Sequence, residues 1–455
     1  MKTMTFIRKP TLFLLPCILI LALYSCSKHN NTAAVTPKTD SSIAWQALLG
    51  GSGYDWANAI IRTSDGGYVT AGNTYSNNNG DVGANHGTAD MWIVKLDANG
   101  GKVWGKSLGG ISYDLAYSIA ASADGGYVAA GYTTSNNSGD VGANHGSSDF
   151  WIVKLNGNGD TVWTKIMGGA GDEKALSIIA TPDGGFAVAG YTNSNNTGDL
   201  GTTQGGYDMW IVKLNANGST AWTKTLGGAG DDIARSIVAT PGGGYAVAGY
   251  TTSNNTGDVG ATKGANDMWI VQLDASGNKV WGKTLGGSGD DLAYSIAALP
   301  DGEYVLAGTT KSNNSGDIGA NHGGYDMSIV KLNGKGDTVW TRTMGGTGDE
   351  IASSITVTPD GRYGISAGTT SNNNGDVGPS HGGTDLWVVE LDASGKTLWQ
   401  KTFGGALNEF HNSVASMVYT TDGGYALTTD SYSNDGDLKG LTNHGLNDMW
   451  ILKLH

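Results

Sequence analysis

Apolar positions along most of this chain come in short runs separated by polar, glycine-rich punctuation. Residues 114–121 read Asp-Leu-Ala-Tyr-Ser-Ile-Ala-Ala and end at the turn Asp124-Gly125-Gly126. A second run covers 127–133, and the polar loop 135–148 leads to a third at 150–155. A further glycine-containing turn introduces a fourth, 161–167. Asp-Gly and Asn-Gly between apolar runs mark hairpins, because these residues accept the positive φ of tight turns. No segment sustains a helical period. The pattern predicts units of four antiparallel strands, a to d.

The unit repeats. Trp45, Trp104, Trp163, Trp222, Trp281, Trp340 and Trp399 stand 59 residues apart throughout. Asp90, Asp149, Asp208, Asp267, Asp326, Asp385 and Asp448 keep that spacing until a four-residue insertion in the last unit. Self-similarity at this length marks a repeated supersecondary unit. Strands a and b are rich in Ala, Ser and Gly, whereas c and d carry Trp, Met, Ile and Leu. Radially packed sheets crowd at the axis and splay outside, so inner strands need small residues and outer strands large ones. The chain also opens on a lone d-type strand, 43–49, and closes after a c-type strand, 449–454. The first strand is therefore expected to complete the last sheet and cover its edge. A linear array would want capping repeats. The expected fold is all-β: a seven-bladed β-propeller over residues 43–455, four antiparallel strands per blade.

Composition agrees. With 74 Gly, 14 Trp, 19 Tyr and 15% charged residues, the chain is too aromatic for disorder and lacks a collagen period. A net charge of −14 excludes a nucleic-acid partner and favours cations or basic partners. Lys2, Arg8 and Lys9 precede an apolar stretch, 11–23, that is short for a membrane span and ends at Leu23-Tyr24-Ser25-Cys26. That segment resembles a lipoprotein signal. The resemblance implies a signal peptide at 1–25, a lipidated Cys26 opening a polar tether at 26–42, and a membrane link through the lipid alone. No cysteine follows Cys26, so the folded part has no disulfide.

Residues 43–455 resemble the bacterial β-propeller repeat lipoproteins. The likeness rests on Gly109-Gly110, Asp114, Asp124-Gly125-Gly126-Tyr127, Ser135-Asn136-Asn137, Gly139-Asp140, His145-Gly146 and Asp149 to Leu155, present in seven copies. It implies this fold and a place in the cell envelope, most simply the outer membrane; the family has no uniform activity to carry over. The segment Leu391-Asp392-Ala393-Ser394-Gly395-Lys396-Thr397-Leu398-Trp399 is similar to the outer hairpin of quinoprotein-type propellers, where a turn glycine and a docking tryptophan meet between blades. No quinone is implied.

Several motifs have structural explanations. Residues 100–107 and 277–284 match the phosphate-loop pattern but lie across a hairpin, with no helix to aim amides at phosphate. Ser122, Asp124 and Gly126 resemble half of a sialidase Asp-box, yet the arginines after the signal, Arg62, Arg235, Arg342 and Arg362, lie on different strands. Asn77, Asn79 and Asp81 mimic calcium-loop spacing without the closing bidentate Glu, so Asx-turn ordering is the favoured reading and calcium the alternative. His86, His145, His322, His381 and His444 recur in that loop, with Gln204 and Lys263 in the other two. They are expected to bond a neighbouring loop, and the Asp90 series to accept N–H groups where strand c begins.

In an up-and-down meander the d-to-a and b-to-c loops emerge at one end. That face would carry the acidic ring Asp55, Asp114, Glu173, Asp232, Asp291, Glu350 and Glu409 at the start of strand a. A sevenfold feature points first to the fold, here bonds to loop amides of the next blade. Function is expected where symmetry breaks: at Asn58, Tyr117, Leu176, Arg235, Tyr294, Ser353 and Asn412 on strand a, and at Trp56, Lys174, Lys311, Phe410 and His411, whereas Glu303 breaks symmetry toward the opposite face and is set aside. Asn58, Tyr117, Arg235, Tyr294, His411 and Asn412 are the candidate ligand contacts. The favoured reading is a monomeric, non-enzymatic envelope scaffold, without cofactor, binding a protein or glycan on the long-loop face. One alternative is a carbohydrate-active enzyme using Arg235, Tyr117 and Tyr294 with Glu173 or Asp232; another is a calcium-stabilised lectin.

Overall fold

Seven four-stranded antiparallel sheets account for the seven repeats. The computed structural model describes Met1 and residues 41–410 and 415–455. Blades 1 to 6 cover residues 55–108, 114–167, 173–226, 232–285, 291–344 and 350–403. Blade 7 joins Ser416–Tyr419, Tyr425–Ser431 and Asp448–Leu454 to the first strand, Ile43–Leu49. Ile43 pairs with Leu454 and Leu49 with Met449, so the ring closes as the sequence predicts. The fold is a seven-bladed β-propeller. The signal-peptide and Cys26 expectations lie outside the described residues.

Burial follows the radial gradient. Tyr68–Thr74 and Asp90–Leu96, strands b and c of blade 1, are buried throughout, whereas the outer strand Lys102–Leu108 is half exposed. Trp92, Trp151, Trp210, Trp269, Trp387 and Trp450 are fully buried between blades; Phe150 lies 4.5 Å from Trp210 across one junction. Each such ring contributes on the order of 2–3 kcal/mol by area. The outer tryptophans bind neighbour to neighbour. Trp45 packs 5.6 Å from Tyr68, and the contact recurs at every junction through Trp399 and Tyr425 at 6.3 Å. Gly100, at φ 84, sits so close beneath Trp45 that a Cβ would meet the indole at 2.5 Å. Only glycine satisfies both the left-handed turn and the ring above it.

Strand a is regular except at one position. In blades 1 to 6 its register with strand b slips around the fourth residue, which makes Asn58, Tyr117, Leu176, Arg235, Tyr294 and Ser353 the extra residues of β-bulges. A bulge re-aims the side chain it carries. The six most variable strand-a residues are therefore presented by a repeated backbone device.

Blade 7 departs from the others ahead of strand a. Glu409 keeps its place 59 residues after Glu350, but Ser416 follows Ser354 by 62, so three of the inserted residues enter between them. Ala415 stands beside Ser416 as Ser353 stands beside Ser354, taking the position the uninterrupted spacing assigns to Asn412. His411 and Asn412 lie outside the described residues.

Candidate ligand-binding site

The acidic ring lies on the long-loop face but inside it. Asp55, Asp114, Glu173, Asp232, Asp291, Glu350 and Glu409 are all fully buried. Asp55 accepts the Gly51 amide at 2.7 Å, the Ser76 hydroxyl at 2.7 Å and the Thr74 hydroxyl. Asp114, Asp232 and Asp291 repeat this set. The amide partner belongs to the loop entering the same blade, where the sequence reading had the next blade. Desolvation pushes Asp55, Asp114, Glu173, Asp232 and Asp291 above the ordinary carboxylate range, and Glu409 up to about 7. Carboxylates so enclosed organise the loops rather than touch a ligand.

The asparagine-rich loops are ordered in the same way. Asn77 Oδ1 accepts Asn85 N–H, Asn79 Oδ1 accepts Ser52 N–H, and Asp81 Oδ2 accepts Gly50 N–H. Each histidine bonds the aspartate four residues on within its own blade, from 2.7 Å for His86–Asp90 to 3.3 Å for His381–Asp385. That corrects the neighbouring-loop expectation for the first ring nitrogen. The cross-blade contact is made by the second ring nitrogen of His381, 3.7 Å from Asp437 of blade 7, and at the substituted positions, where Lys263 reaches Asp317 at 2.5 Å and Gln204 reaches Asp258 at 3.5 Å. The Asp90 series does accept backbone N–H where strand c begins, with His86 N at 3.0 Å.

The bulge residues meet at the axis. A cavity of about 170 Å³ is lined by Asn58, Tyr117, Leu176, Arg235, Tyr294 and Ser353, with the residue after each one, and closed by Ala415 and Ser416. Its wall is stitched by serines: Ser118, Ser177, Ser236 and Ser295 each accept the strand-a amide of the next blade at 3.1–3.3 Å. Ser354 and Ser416 continue the series to Met417 and Ile60. Asn58, a candidate ligand contact, donates to the Ala116 carbonyl at 2.5 Å and so ties blade 1 to blade 2.

Above the axis the symmetry fails. A second cavity of about 410 Å³ opens to one side, over blades 2 to 4. Tyr117, Leu176 and Arg235 form its floor, shared with the axial cavity. Lys174, Tyr191, Tyr207 and Tyr250 form its walls, and Asp231, Thr252 and Asn266 its rim. The strand-b tyrosines arise at one repeat position, which carries Asn73, Tyr132, Tyr191, Tyr250, Thr309, Gly368 and Asp430 around the ring. On the opposite side Phe410 is buried over Gly368, where a Cβ would lie 2.2 Å from the ring. One side of the funnel is thus filled by Phe410 and the other left as a tyrosine-lined hollow.

Two cations stand in it. The Arg235 guanidinium lies 5.3 Å from the Tyr294 ring and 5.7 Å from that of Tyr250, and its Nε is buried with no hydrogen-bond partner among the described residues. Lys174 Nζ sits 4.6 Å over Tyr132, which stacks on Tyr117 at 6.1 Å. Burial holds the phenols of Tyr117, Tyr132 and Tyr191 well above their usual range, so they remain neutral donors. An acidic protein therefore places positive charge in its asymmetric cavity, opposite to what net charge alone suggested. Tyr117 and Arg235, singled out by sequence, line it, and Tyr294, which lines the axial cavity, stands against the Arg235 guanidinium. Lys174 was visible as a break in symmetry. Tyr191, Tyr207 and Tyr250 were missed, because a tyrosine in a strand, or next to one as Tyr207 is, reads as core unless different repeats are compared position by position.

No family model matches the chain. Over 292 residues it is 22% identical to the regulatory protein FlaEY of Caulobacter vibrioides, a match covering 58% of this chain and 30% of that protein. The chain thus spans less than a third of that curated relative's length. Among solved structures it is similar to a protein of unknown function from Dyadobacter fermentans, at 11% identity and TM-score 0.45, with 92% of this chain and 100% of that one covered. It is also similar to Sqt1 from Chaetomium thermophilum, at 13% identity and TM-score 0.44, with 92% and 99% covered.

Proposed function

We propose that this propeller is a non-catalytic binding scaffold of the cell envelope, tethered by lipid at Cys26, that takes a glycan or protein partner in the cavity over blades 2 to 4. The observation carrying this reading is convergence: residues that break the sevenfold pattern, presented by bulges, meet beside a strand-b position that is tyrosine on three adjacent blades and on no other, at Tyr132, Tyr191 and Tyr250. A ring of identical blades has no reason to concentrate aromatic and cationic groups on one side unless something binds there. The lining supports binding over hydrolysis, because it holds the single carboxylate Asp231, whereas paired-acid glycoside cleavage needs two. Glu173 and Asp232 are sealed beneath the loops.

Pull-down from envelope extract and a saccharide array, each run with the wild type and with Y191A/Y250A, test the reading. A partner retained by the wild type and lost by the double variant supports it. Equal capture by both overturns it. Labelling with a radioactive fatty acid, abolished by C26S, tests the anchor separately.

A further inference from the structure

We infer that the cavity over blades 2 to 4 selects an acidic saccharide, with Arg235 as the seat of its anionic group. This rests on the binding-scaffold reading and narrows it to one ligand class.

The argument begins with what the other arginines do. Arg342 donates to the Gly395 carbonyl and to Thr397 at 2.8 Å. Arg362 pairs with Glu390 and with Asp360 at 2.8 Å. Arg62 is exposed at the far end of strand a. Arg235 alone is held inward, half-buried between two aromatic rings, with a buried Nε that nothing among the described residues accepts. Lys174 likewise has a ring beneath it and no ion pair among the described residues. Withdrawing guanidinium from water without an acceptor costs free energy that an incoming anion returns. A planar fork with an unused donor suits a planar two-oxygen acceptor, which a carboxylate provides.

The rest of the cavity specifies what carries that anion. Tyrosine rings offer apolar faces for sugar C–H surfaces, and their neutral hydroxyls, with Thr252 and Asn266, offer hydrogen bonds at the rim. A volume of about 410 Å³ falls within the roughly 300–1,000 Å³ of small-ligand pockets. Asp231, on the rim, sets a direction. An acid group is repelled there and drawn to the floor between Arg235 and Lys174, so the sugar ring must lie across the tyrosines with its anion inward.

The test is an immobilised panel of uronate and sialylated oligosaccharides, their neutral counterparts, and sulfated galactose oligomers, probed with wild type, R235Q, R235K and Y191A. Wild type is expected to bind at least one carboxylated saccharide tenfold or more above its neutral counterpart. R235Q should erase that preference at unchanged melting temperature, R235K should retain part of it, and Y191A should weaken acidic and neutral ligands together. Equal binding of acidic and neutral partners, lost in Y191A, overturns the anionic inference and leaves the binding reading standing. Preference for the sulfated oligomers over every carboxylate overturns the carboxylate assignment. If no saccharide of any charge binds, the glycan inference falls, and the pull-down decides whether a protein partner remains.

Discussion

Glu390 occupies a place where five other blades carry a lysine, buried in four of them, and Arg362 faces it where most blades have glycine. In blades 1, 2, 3 and 7 that lysine reaches the aspartate of the a–b turn, as Lys95 reaches Asp65 at 3.0 Å. Blade 6 inverts the lysine's sign and adds Arg362 to bridge Glu390 and Asp360, with Tyr425 of blade 7 donating to Glu390 at 2.6 Å. R362G should leave a buried carboxylate short of its cation, at a cost of about 3–5 kcal/mol. R362G/E390K restores the common pair and should recover most of that loss in denaturant melts. A double variant no more stable than R362G refutes the exchange.

The axial serine ring has one gap. Six serines accept an amide from the neighbouring blade, and the seventh place is Ala59. A59S should supply the missing acceptor to Ile119 and stabilise the fold by about 0.5–1.5 kcal/mol. S236A should cost a similar amount. An A59S protein that melts below wild type counts against an additive ring.

Acid should stabilise this protein before it harms it. Burial raises Asp208 to about 6 and Glu409 to about 7, above their unfolded values of 3.8 and 4.5. The stability they contribute is complete below those unfolded values and lost as pH rises through about 6 and 7. Asp65, Asp124 and Asp183 act in the opposite sense. Hydroxyls of Thr63, Ser122 and Thr181, with lysines behind them, hold these carboxyls near 2, and their contribution is lost as pH falls from 3.8 toward that value. The melting temperature is expected to peak at roughly pH 4–5 and decline toward pH 8. D208N should flatten the upper limb; a steady rise from pH 5 to 8 contradicts the assignment.

Chelation should change little. The Asn77, Asn79 and Asp81 oxygens that calcium would claim already accept Asn85, Ser52 and Gly50 amides. An unchanged melting temperature in EDTA is the expected result, and a drop of several degrees returns the calcium-lectin reading to favour.

Closure depends on Trp45. Its indole donates to the Ala98 carbonyl at 3.1 Å and packs on Tyr68, joining blade 7 to blade 1. W45A should cost about 3 kcal/mol, the low end for a buried tryptophan because Trp45 is partly exposed. Hydrogen exchange should then rise first in Asp448–Leu454 rather than evenly across the blades.

The repeat made the fold legible: fixed Trp45 and Asp90 spacings count the blades, and unmatched ends reveal the closure. The same regularity hid the rest. Arg235 and Tyr117 stood out because strand a varies there, but the bulge that turns them inward leaves no residue signature of its own, since Ala-x-Ser flanks it in most blades alike. Tyr191 and Tyr250 gain their meaning from blade adjacency, which is a property of the closed ring. The Asn412 assignment assumed uniform spacing, and residues inserted ahead of Ser416 moved Ala415 into that place.

Ser42 accepts the amide of His455 at 3.0 Å, so the folded chain is entered and left at one point, the hairpin end of blade 7. The tyrosine hollow opens at the other end. Both described ends of the propeller, Ser42 and His455, therefore lie at the pole opposite the hollow. Neither end crosses the mouth of the hollow, and the loops that frame it carry no chain terminus.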